Sequence, residues 1–358
     1  MVVIRFPNRG LTSEYGDIIL FGVTERVSLK ITYNAVVILE EDYFPDADNV
    51  VTIRDVGKLA ALYIDNNDLS LTEGVDGKSI KMTIEIIEHR TPEQNSTDEV
   101  TFFRSNIDFA GSISTTLIQK MPLSRTNTKV TGPGRKEFVS FYANAVIAVY
   151  AVYSNGVKDV ASTVTPFTTL ADNSNLYRID VSPSVVAAAV GCSESQLIYY
   201  NVYGDDDTII RYRMDHRNHV NKTTFFFRNC FGAQETFTCV GHAERDGGWE
   251  REYGVIHNSM IQTSKEKNDQ IKVKTGYLIP SMMDVLDDLL NSDLICVLDG
   301  TVLRPVVILS EDFTRTTRKN EPRSFEIEYR YASNTPQGKY VQLSKSGVFD
   351  ETFDPTFE

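Results

Sequence analysis

Short runs of alternating apolar and polar residues dominate this chain. Ser28–Leu39, Lys81–Glu88 and Phe325–Tyr331 place apolar side chains largely at every second position. That period is typical of a β-strand with one buried face and one solvated face. Gly, Asn, Asp and Pro bound the runs, as they do in proteins built from short strands and tight turns. The pattern predicts a mainly β protein.

Three segments carry turn signals between such runs. They contain Asp-Gly or Asn-Gly pairs, which favour the two-residue turns of β-hairpins. We therefore predict hairpin turns at 75–79 (VDGKS), 154–158 (SNGVK) and 298–302 (LDGTV).

Helical periodicity is confined to a few short segments. Pro280–Asn291 has apolar residues at i, i+1, i+4, i+7 and i+8, which form one stripe on a helix. Ser281 is placed to cap its N-terminus, and Asp284 adds a negative charge in the first turn. Weaker helix starts occur at Asp55–Tyr63 and Ser182–Val190.

The two weaker helix starts share a context. In each, an apolar strand leads through a polar spacer to a short strand that ends in Asp-Val, and an Ala-rich helical segment follows. The first series runs from ITYNAVVIL through TIRDV to LAALYI, and the second from ANAVIAVYAVY through YRIDV to VVAAAV. The sequence predicts two similar β-rich modules.

Changes in composition suggest the domain organisation. The polar, basic, Gly- and Pro-containing segment 124–136 is predicted to be a linker, and 91–99 an exposed loop. The fold class predicted is mainly β, with multi-domain β-sandwich or β-barrel-like modules and a few short helices. We predict an N-terminal β-rich module (1–123), the linker (124–136), an Ig-like β module (137–215), a C-terminal β module with one amphipathic helix at about 281–291 (216–343), and an extended C-terminal arm (344–358).

Composition and charge exclude several protein classes. Of 358 residues, 41% are hydrophobic and 24% charged, as in ordinary globular proteins. The longest apolar runs have strand length, so no membrane span is expected. A net charge of −13 repels phosphate backbones, so no specific nucleic-acid partner is predicted. The N-terminal residues show no secretory signal, which predicts synthesis in a cytoplasm and four buried thiols rather than disulfides.

Candidate chemistry is sparse. His216 and His219 lie in a polar loop, and Cys230, Cys239 and His242 lack the close ligand pairs of zinc sites. No nucleophile elbow, phosphate-binding loop or dinucleotide fingerprint occurs. Paired carboxylates of a glycan hydrolase would leave no linear trace, but the chain has one Trp for a sugar platform. We predict no catalytic, metal or cofactor-binding residue.

The segment Thr224–Tyr331 resembles the C-terminal module of structural tail proteins from phages and prophages of Bacteroidetes hosts, including crAss-like phages. Tyr43–Asp55 resembles a strand and turn of the same proteins. The matching elements in the C-terminal segment are Asn229–Gly232, Thr236–Val240, Gly276–Ile279, Leu289–Ser292, Pro305–Ile308 and Phe325–Ala332. The resemblance implies a tail-hub, distal-tail or ring-type virion subunit.

Such a subunit would contact copies of itself in a ring and other tail or portal-proximal proteins. Phe349, Phe353 and Phe357 recur at four-residue spacing in the polar C-terminal arm and are the candidate subunit contacts. Two other functions fit the sequence: a surface carbohydrate-binding or adhesin module, and a tail-associated glycan hydrolase. The first requires export and aromatic platforms, and the second requires a cleft with paired carboxylates.

Overall fold

The computed structural model describes residues 2–3, 9–13, 15–64, 69–107, 122–142, 146–169, 175–204, 209–256, 259–310 and 324–332. Within these residues the chain forms 23 strands in five sheets, three α-helices and one 3-10 turn, so the mainly β prediction is confirmed. The sheets are open within these ranges, because each begins and ends on different strands. No helix in this part of the chain has the length and hydropathy to cross a membrane.

The first module has eight strands and one helix: β1 (Val2–Val3), β2 (Arg9–Leu11), β3 (Ile18–Phe21), β4 (Val27–Tyr33), β5 (Val36–Tyr43), β6 (Val50–Ile53), α1 (Val56–Ala61), β8 (Ile80–Glu88) and β9 (Gln94–Phe103). A five-stranded sheet, β2-β9-β8-β4-β5, packs on the three-stranded sheet β1-β3-β6. Leu20, Leu29 and Ile84 belong to the single core between them, and Ala60 of α1 joins it. The module is a β-sandwich.

The second module also has eight strands and one helix: β7 (Gly74–Lys78), β10 (Thr128–Thr131), β11 (Phe138–Tyr142), β12 (Val146–Ser154), β13 (Asp159–Thr169), β14 (Asn175–Asp180), α2 (Pro183–Val190), β15 (Leu197–Tyr203) and β16 (Ile209–Met214), with the 3-10 turn at Glu194–Gln196. Its sheets are β10-β16-β15-β12-β13 and β11-β14-β7. They share a core that includes Phe141, Val149 and Tyr200. Strand β7 comes from between β6 and β8 in the chain but pairs with β14.

The two sandwiches repeat one order of elements. In the five-stranded sheet of each sandwich, the first strand in the chain (β2 or β10) pairs in parallel with the last (β9 or β16). The opposite edge of that sheet is the outer strand of a hairpin, β4–β5 or β12–β13. In both modules the helix follows a strand of the three-stranded sheet, at Asp55-Val56 or shortly after Asp180-Val181. The prediction of two similar β-rich modules is confirmed.

The third module has seven strands and one helix: β17 (Thr223–Arg228), β18 (Gln234–Cys239), β19 (Ala243–Ile256), β20 (Ser259–Lys274), α3 (Met282–Leu290), β21 (Ile295–Asp299), β22 (Val302–Ile308) and β23 (Glu326–Tyr331). The strands form one sheet in the order β18-β17-β21-β22-β23-β20-β19. The predicted apolar stripe of α3 packs on it through Met282, Leu286 and Leu289. Ser281 does not cap the helix as predicted, because its hydroxyl donates to the Thr128 carbonyl instead, at 2.8 Å.

The predicted linker at 124–136 is not an exposed connection. Strand β10 lies within it, and Lys129 at its centre is 1% exposed. The polar side chains can be buried because their partners lie in another module, as Glu235 does for Lys129. The other domain boundaries stay a prediction, although β7 shows that one segment before residue 123 belongs to the second sandwich.

Of the other local predictions, two hairpin turns are confirmed, and one hairpin turn and one loop are wrong. The hairpin turns at 154–158 and 298–302 are confirmed by β12–β13 and β21–β22. The predicted hairpin turn at 75–79 is wrong, since these residues largely form β7. The loop at 91–99 is wrong as well, because from Gln94 onward this polar segment pairs with β8 and keeps alternate side chains exposed.

One further difference yields a stability prediction. The predicted strand Ser28–Leu39 is a hairpin whose turn residues Asn34 and Ala35 have φ of 50° and 62°. An L-residue other than Gly or Asn is strained there. Ala35→Gly is therefore expected to raise the free energy of unfolding by about 0.5–1 kcal/mol, measured as a higher midpoint of thermal unfolding.

Ala188→Gly is the matched control. Ala188 lies exposed inside α2, where the same chemical change costs about 0.5–1 kcal/mol. Opposite shifts of the two midpoints are expected. A lower midpoint for Ala35→Gly would contradict the strained turn.

Candidate functional site

A buried carboxylate connects the second and third modules. Asp76 is on β7, and its side chain is fully buried. One oxygen, Oδ1, accepts hydrogen bonds from Nη1 of Arg178 on β14 at 2.8 Å and from Nη1 of Arg228 on β17 at 2.7 Å. The other, Oδ2, accepts from the Ser140 hydroxyl at 2.6 Å and from the Gln234 backbone N–H at 2.7 Å. Every oxygen of the carboxylate is engaged.

These contacts join separate sheets. Ser140 and Arg178 belong to the second sandwich, whereas Arg228 and Gln234 belong to the third module. Arg228 also donates from Nη2 to the Asp76 carbonyl at 2.8 Å. Burial lowers the pKa of Arg178, and the adjacent Asp76 charge opposes that shift. Arginine stays protonated under such conditions, so the site holds two cations around one anion.

A second polar cluster extends this junction. Lys129 Nζ lies 2.5 Å from Glu235 Oε1, and both side chains are 2% exposed. Asn229 Nδ2 donates to the other oxygen of Glu235 at 2.7 Å and to the Leu123 carbonyl at 2.8 Å. Nearby Glu137 accepts from the Thr236 hydroxyl at 3.0 Å, and burial raises its pKa. The contacts again connect the second and third modules.

A cavity of about 460 Å³ opens beside the junction. Arg125 reaches across its margin to α3, where Nη1 lies 2.8 Å from Asp288 Oδ1 and 2.9 Å from Asp287 Oδ2. Burial raises the pKa of Asp288 to about 6. Cys230 also lines the cavity, but burial raises the pKa of its thiol far above neutral, so it stays protonated.

The cavity has a mainly polar lining. Its lining includes three arginines, each paired with a carboxylate, and contains no His. In the described ranges, no three His, Cys, Asp or Glu side chains are grouped so that they could hold a metal ion. The contacts described above connect the seven-stranded sheet to both sheets of the second sandwich.

Of the residues considered as metal ligands from the sequence, Cys230 lines the cavity, whereas His216 and His219 lie elsewhere. His219 Nε2 lies 2.9 Å from Asp215 Oδ2, and His216 Nε2 lies 2.7 Å from the Leu197 carbonyl. The candidate contacts Phe349, Phe353 and Phe357 lie outside the described residues. Sequence reasoning missed Asp76, which it assigned to a turn. The sequence did contain one indication of a buried ion pair, because the charged residue Arg228 directly follows the strand segment TTFFF.

A second candidate feature is a two-stranded ribbon formed by β19 and β20. The two strands pair from Ala243–Val273 to Ile256–Ser259, whereas β23 pairs with β20 only over Ile271–Lys274. About 35 Å of ribbon therefore extends past the sheet, at roughly 3.4 Å per residue. Tyr253 and Met260 near its end are 56% and 73% exposed. Ribbons of this length are marginally stable without further packing.

The junction yields a prediction about stability. Asp76→Asn leaves Arg178 and Arg228 buried without their anion, a loss that typically costs about 3–5 kcal/mol. We expect a large drop in the midpoint of denaturant unfolding. Asp42→Asn, which breaks the half-exposed pair with Arg26, should cost less than about 1 kcal/mol. Equal effects of the two substitutions would contradict the account of the junction.

Asp288 yields a pH dependence. Because burial raises its pKa from 3.8 to about 6, the folded chain keeps this proton where the unfolded chain has released it. The free energy of unfolding should then fall by on the order of 2–3 kcal/mol as pH rises from about 4 to about 6. Asp288→Asn should remove this component from a series of urea unfolding curves.

Asp287→Asn is the matched control, because Asp287 also contacts Arg125 but its side chain is 34% exposed. It should retain the pH dependence of the natural chain. The account is contradicted if Asp288→Asn and the natural chain lose stability equally over this pH range.

Comparisons with known proteins give no family. No protein-family model matches this chain, and no curated protein matches it. Among solved structures, SGBP-B of the mixed-linkage glucan utilization locus of Bacteroides ovatus, in complex with a mixed-linkage heptasaccharide, aligns with 74% of this chain and 68% of its own. The TM-score is 0.14 and the sequence identity 12%.

Proposed function

We propose that this chain is a non-catalytic structural subunit of a phage virion, in the tail or the head-to-tail assembly. The observation that carries the proposal is the ribbon of β19 and β20, which extends past its sheet with exposed side chains such as Tyr253 and Met260. Exposed apolar side chains on an extended ribbon favour a protein partner, because packing against one removes them from water.

The junction supports the same function. A subunit that assembles needs modules held in one orientation, so that a contact made by one module is geometrically defined for the others. The buried Asp76 contacts to Arg178 and Arg228 connect the second and third modules in this way. The resemblance of Thr224–Tyr331 to structural tail proteins of Bacteroidetes phages is what directs the proposal to a virion.

The proposed function implies binding partners and a location in the virion. The partners are further copies of this chain in a ring and other tail or portal-proximal proteins. The chain would be synthesised in the bacterial host cytoplasm and function in the virion tail as a tail-hub, distal-tail or ring protein. Ring assemblies use contacts that repeat from copy to copy, so one projecting element per chain is sufficient.

Removal of the ribbon tests the proposal. Gly247 and Asp269 are cross-strand partners, so residues 248–268 can be replaced by Asn-Gly in register as a two-residue hairpin. We expect the natural chain to form oligomers in light scattering coupled to size-exclusion chromatography, and the shortened chain to remain monomeric. Replacing 155–158 of the β12–β13 turn with Asn-Gly is the control. Unchanged assembly of the chain without the ribbon would contradict the proposal.

The C-terminal arm gives an independent prediction. Phe349, Phe353 and Phe357 would bury apolar area on an adjacent subunit, at roughly 25 cal/mol per Å². Deletion of 344–358 should weaken assembly without lowering the midpoint of thermal unfolding. The matched variant changes the three Phe to Ser in the full-length chain. Particles that form equally well in both variants would rule out the arm as a subunit contact.

A further inference from the structure

The second sandwich has aromatic rings and arginines on the side of its five-stranded sheet that faces away from the core. Tyr200 and Tyr212 point into the core. Because side chains alternate along a strand, their neighbours in the chain lie on the opposite side of the sheet. We call this side the outer face and define it by five residues on β12, β15 and β16, namely Tyr150, Tyr199, Asn201, Arg211 and Arg213.

The side chains of the outer face contact one another. The guanidinium carbon of Arg211 lies 5.1 Å from the centre of the Tyr199 ring, a cation–π contact. Its Nε donates a hydrogen bond to Asn201 Oδ1 at 3.0 Å. The ring centres of Tyr150 and Tyr199 are 6.4 Å apart. Because Arg211 is held both on a ring and through Nε, its two Nη groups are preorganised for an external acceptor.

The charges of the outer face are not neutralised within the part of the chain that the structure describes. Arg211 and Arg213 are exposed, and neither has a carboxylate partner among the described residues. The junction differs, because Arg178 and Arg228 both contact Asp76. In a chain of net charge −13, two unpaired guanidinium groups roughly 7 Å apart on an aromatic surface favour a ligand that is both anionic and aromatic.

The C-terminal arm has the matching composition. Residues 349–358 read FDETFDPTFE, so an acid directly follows each of Phe349, Phe353 and Phe357. These ten residues contain four acids and no Lys or Arg. At each repeat the arm therefore offers a ring that can pack on tyrosine and a carboxylate that can pair with arginine.

We propose that the C-terminal arm of one copy of this chain binds the outer face of the next copy. Its Phe rings pack against Tyr150 and Tyr199. The acids that follow those rings pair with Arg211 and Arg213. The intervening residues 333–348 can span up to roughly 55 Å when extended, which is sufficient to reach a neighbouring copy. The inference rests on the proposed assembly function and specifies the surface that receives the arm.

This contact has a defined symmetry. The arm and the outer face are different surfaces, so each copy gives one arm and receives another, which is a head-to-tail contact. Head-to-tail contacts propagate until they close a ring or extend as a filament. The arm thus supplies the kind of contact that a ring subunit requires.

Charge exchange between two full-length variants tests the contact. The face variant carries Arg211→Glu and Arg213→Glu, and the arm variant carries Asp350→Lys, Asp354→Lys and Glu358→Lys. Each variant alone should associate at least about tenfold more weakly than the natural chain, because like charges then meet. An equimolar mixture should recover association, since each variant offers the group that the other lacks. Light scattering after size-exclusion chromatography over a concentration series measures all three.

A labelled peptide of residues 344–358 tests the contact apart from assembly. Its fluorescence anisotropy should rise on titration with the arm variant, whose own arm no longer matches the outer face. A chain that combines the face and arm substitutions should bind the peptide at least about tenfold more weakly. A peptide in which the three Phe are replaced by Ser should also bind more weakly, because the rings no longer pack on tyrosine.

Arg54→Glu with Lys58→Glu is the matched control. It makes the same change in charge as the face variant, at exposed positions of the first sandwich, and should assemble normally. If circular dichroism shows that the face variant does not fold, Arg211→Gln with Arg213→Gln takes its place.

The outcomes separate the inference from the proposed function. If the natural chain assembles and the face and arm variants assemble equally well, the inference fails while the proposed function stands. Peptide binding that is equally tight to the arm variant and to the combined variant also overturns the inference alone. A natural chain that stays monomeric at every concentration overturns both.

Discussion

One buried carboxylate with two arginine partners connects the second module to the third. Asp76 brings a strand from the first part of the chain into the second sandwich, and there it meets Arg178 and, from the third module, Arg228. A buried ion cluster contributes little net stability relative to apolar packing of similar volume. It does penalise every arrangement in which one of the charges loses its partner. The junction therefore determines how the second and third modules are oriented more than it stabilises the folded chain.

The orientation of the third module matters because the ribbon projects from it. A projecting ribbon on a loosely tethered module would sample many directions, and its contacts would not repeat from copy to copy. With the third module fixed through Arg228, and through Glu235 to Lys129, the ribbon leaves the body in a defined direction. The duplicated sandwiches then form a support of constant shape. Rigid body and exposed ribbon together are what a repeating assembly requires.

The sequence predicted the regular parts of the fold because they depend on local periodicity. The alternation at Lys81–Glu88, the stripe of α3 and the repeated Asp-Val context all specify structure through neighbours in the chain. The predictions failed where the decisive partner is distant. Lys129 looked like part of a solvated linker because nothing local reveals Glu235, more than one hundred residues away. Asp76 looked like a turn residue because the strand that captures it, β14, is equally remote.

The ribbon shows the same limit at the level of function. Its residues form an ordinary mixture of polar and apolar side chains when they are read along the chain, and its length past the sheet is visible only when β19 and β23 are aligned with β20. Register is a property of pairing between strands, so composition cannot supply it.

An electron-microscopy reconstruction of the assembled natural chain tests the central claim most directly. The account predicts a ring in which each ribbon contacts a neighbouring copy, with the second and third modules in the orientation set by Asp76. A reconstruction with the ribbons free in solvent, or with copies joined by a two-fold contact elsewhere, would contradict it.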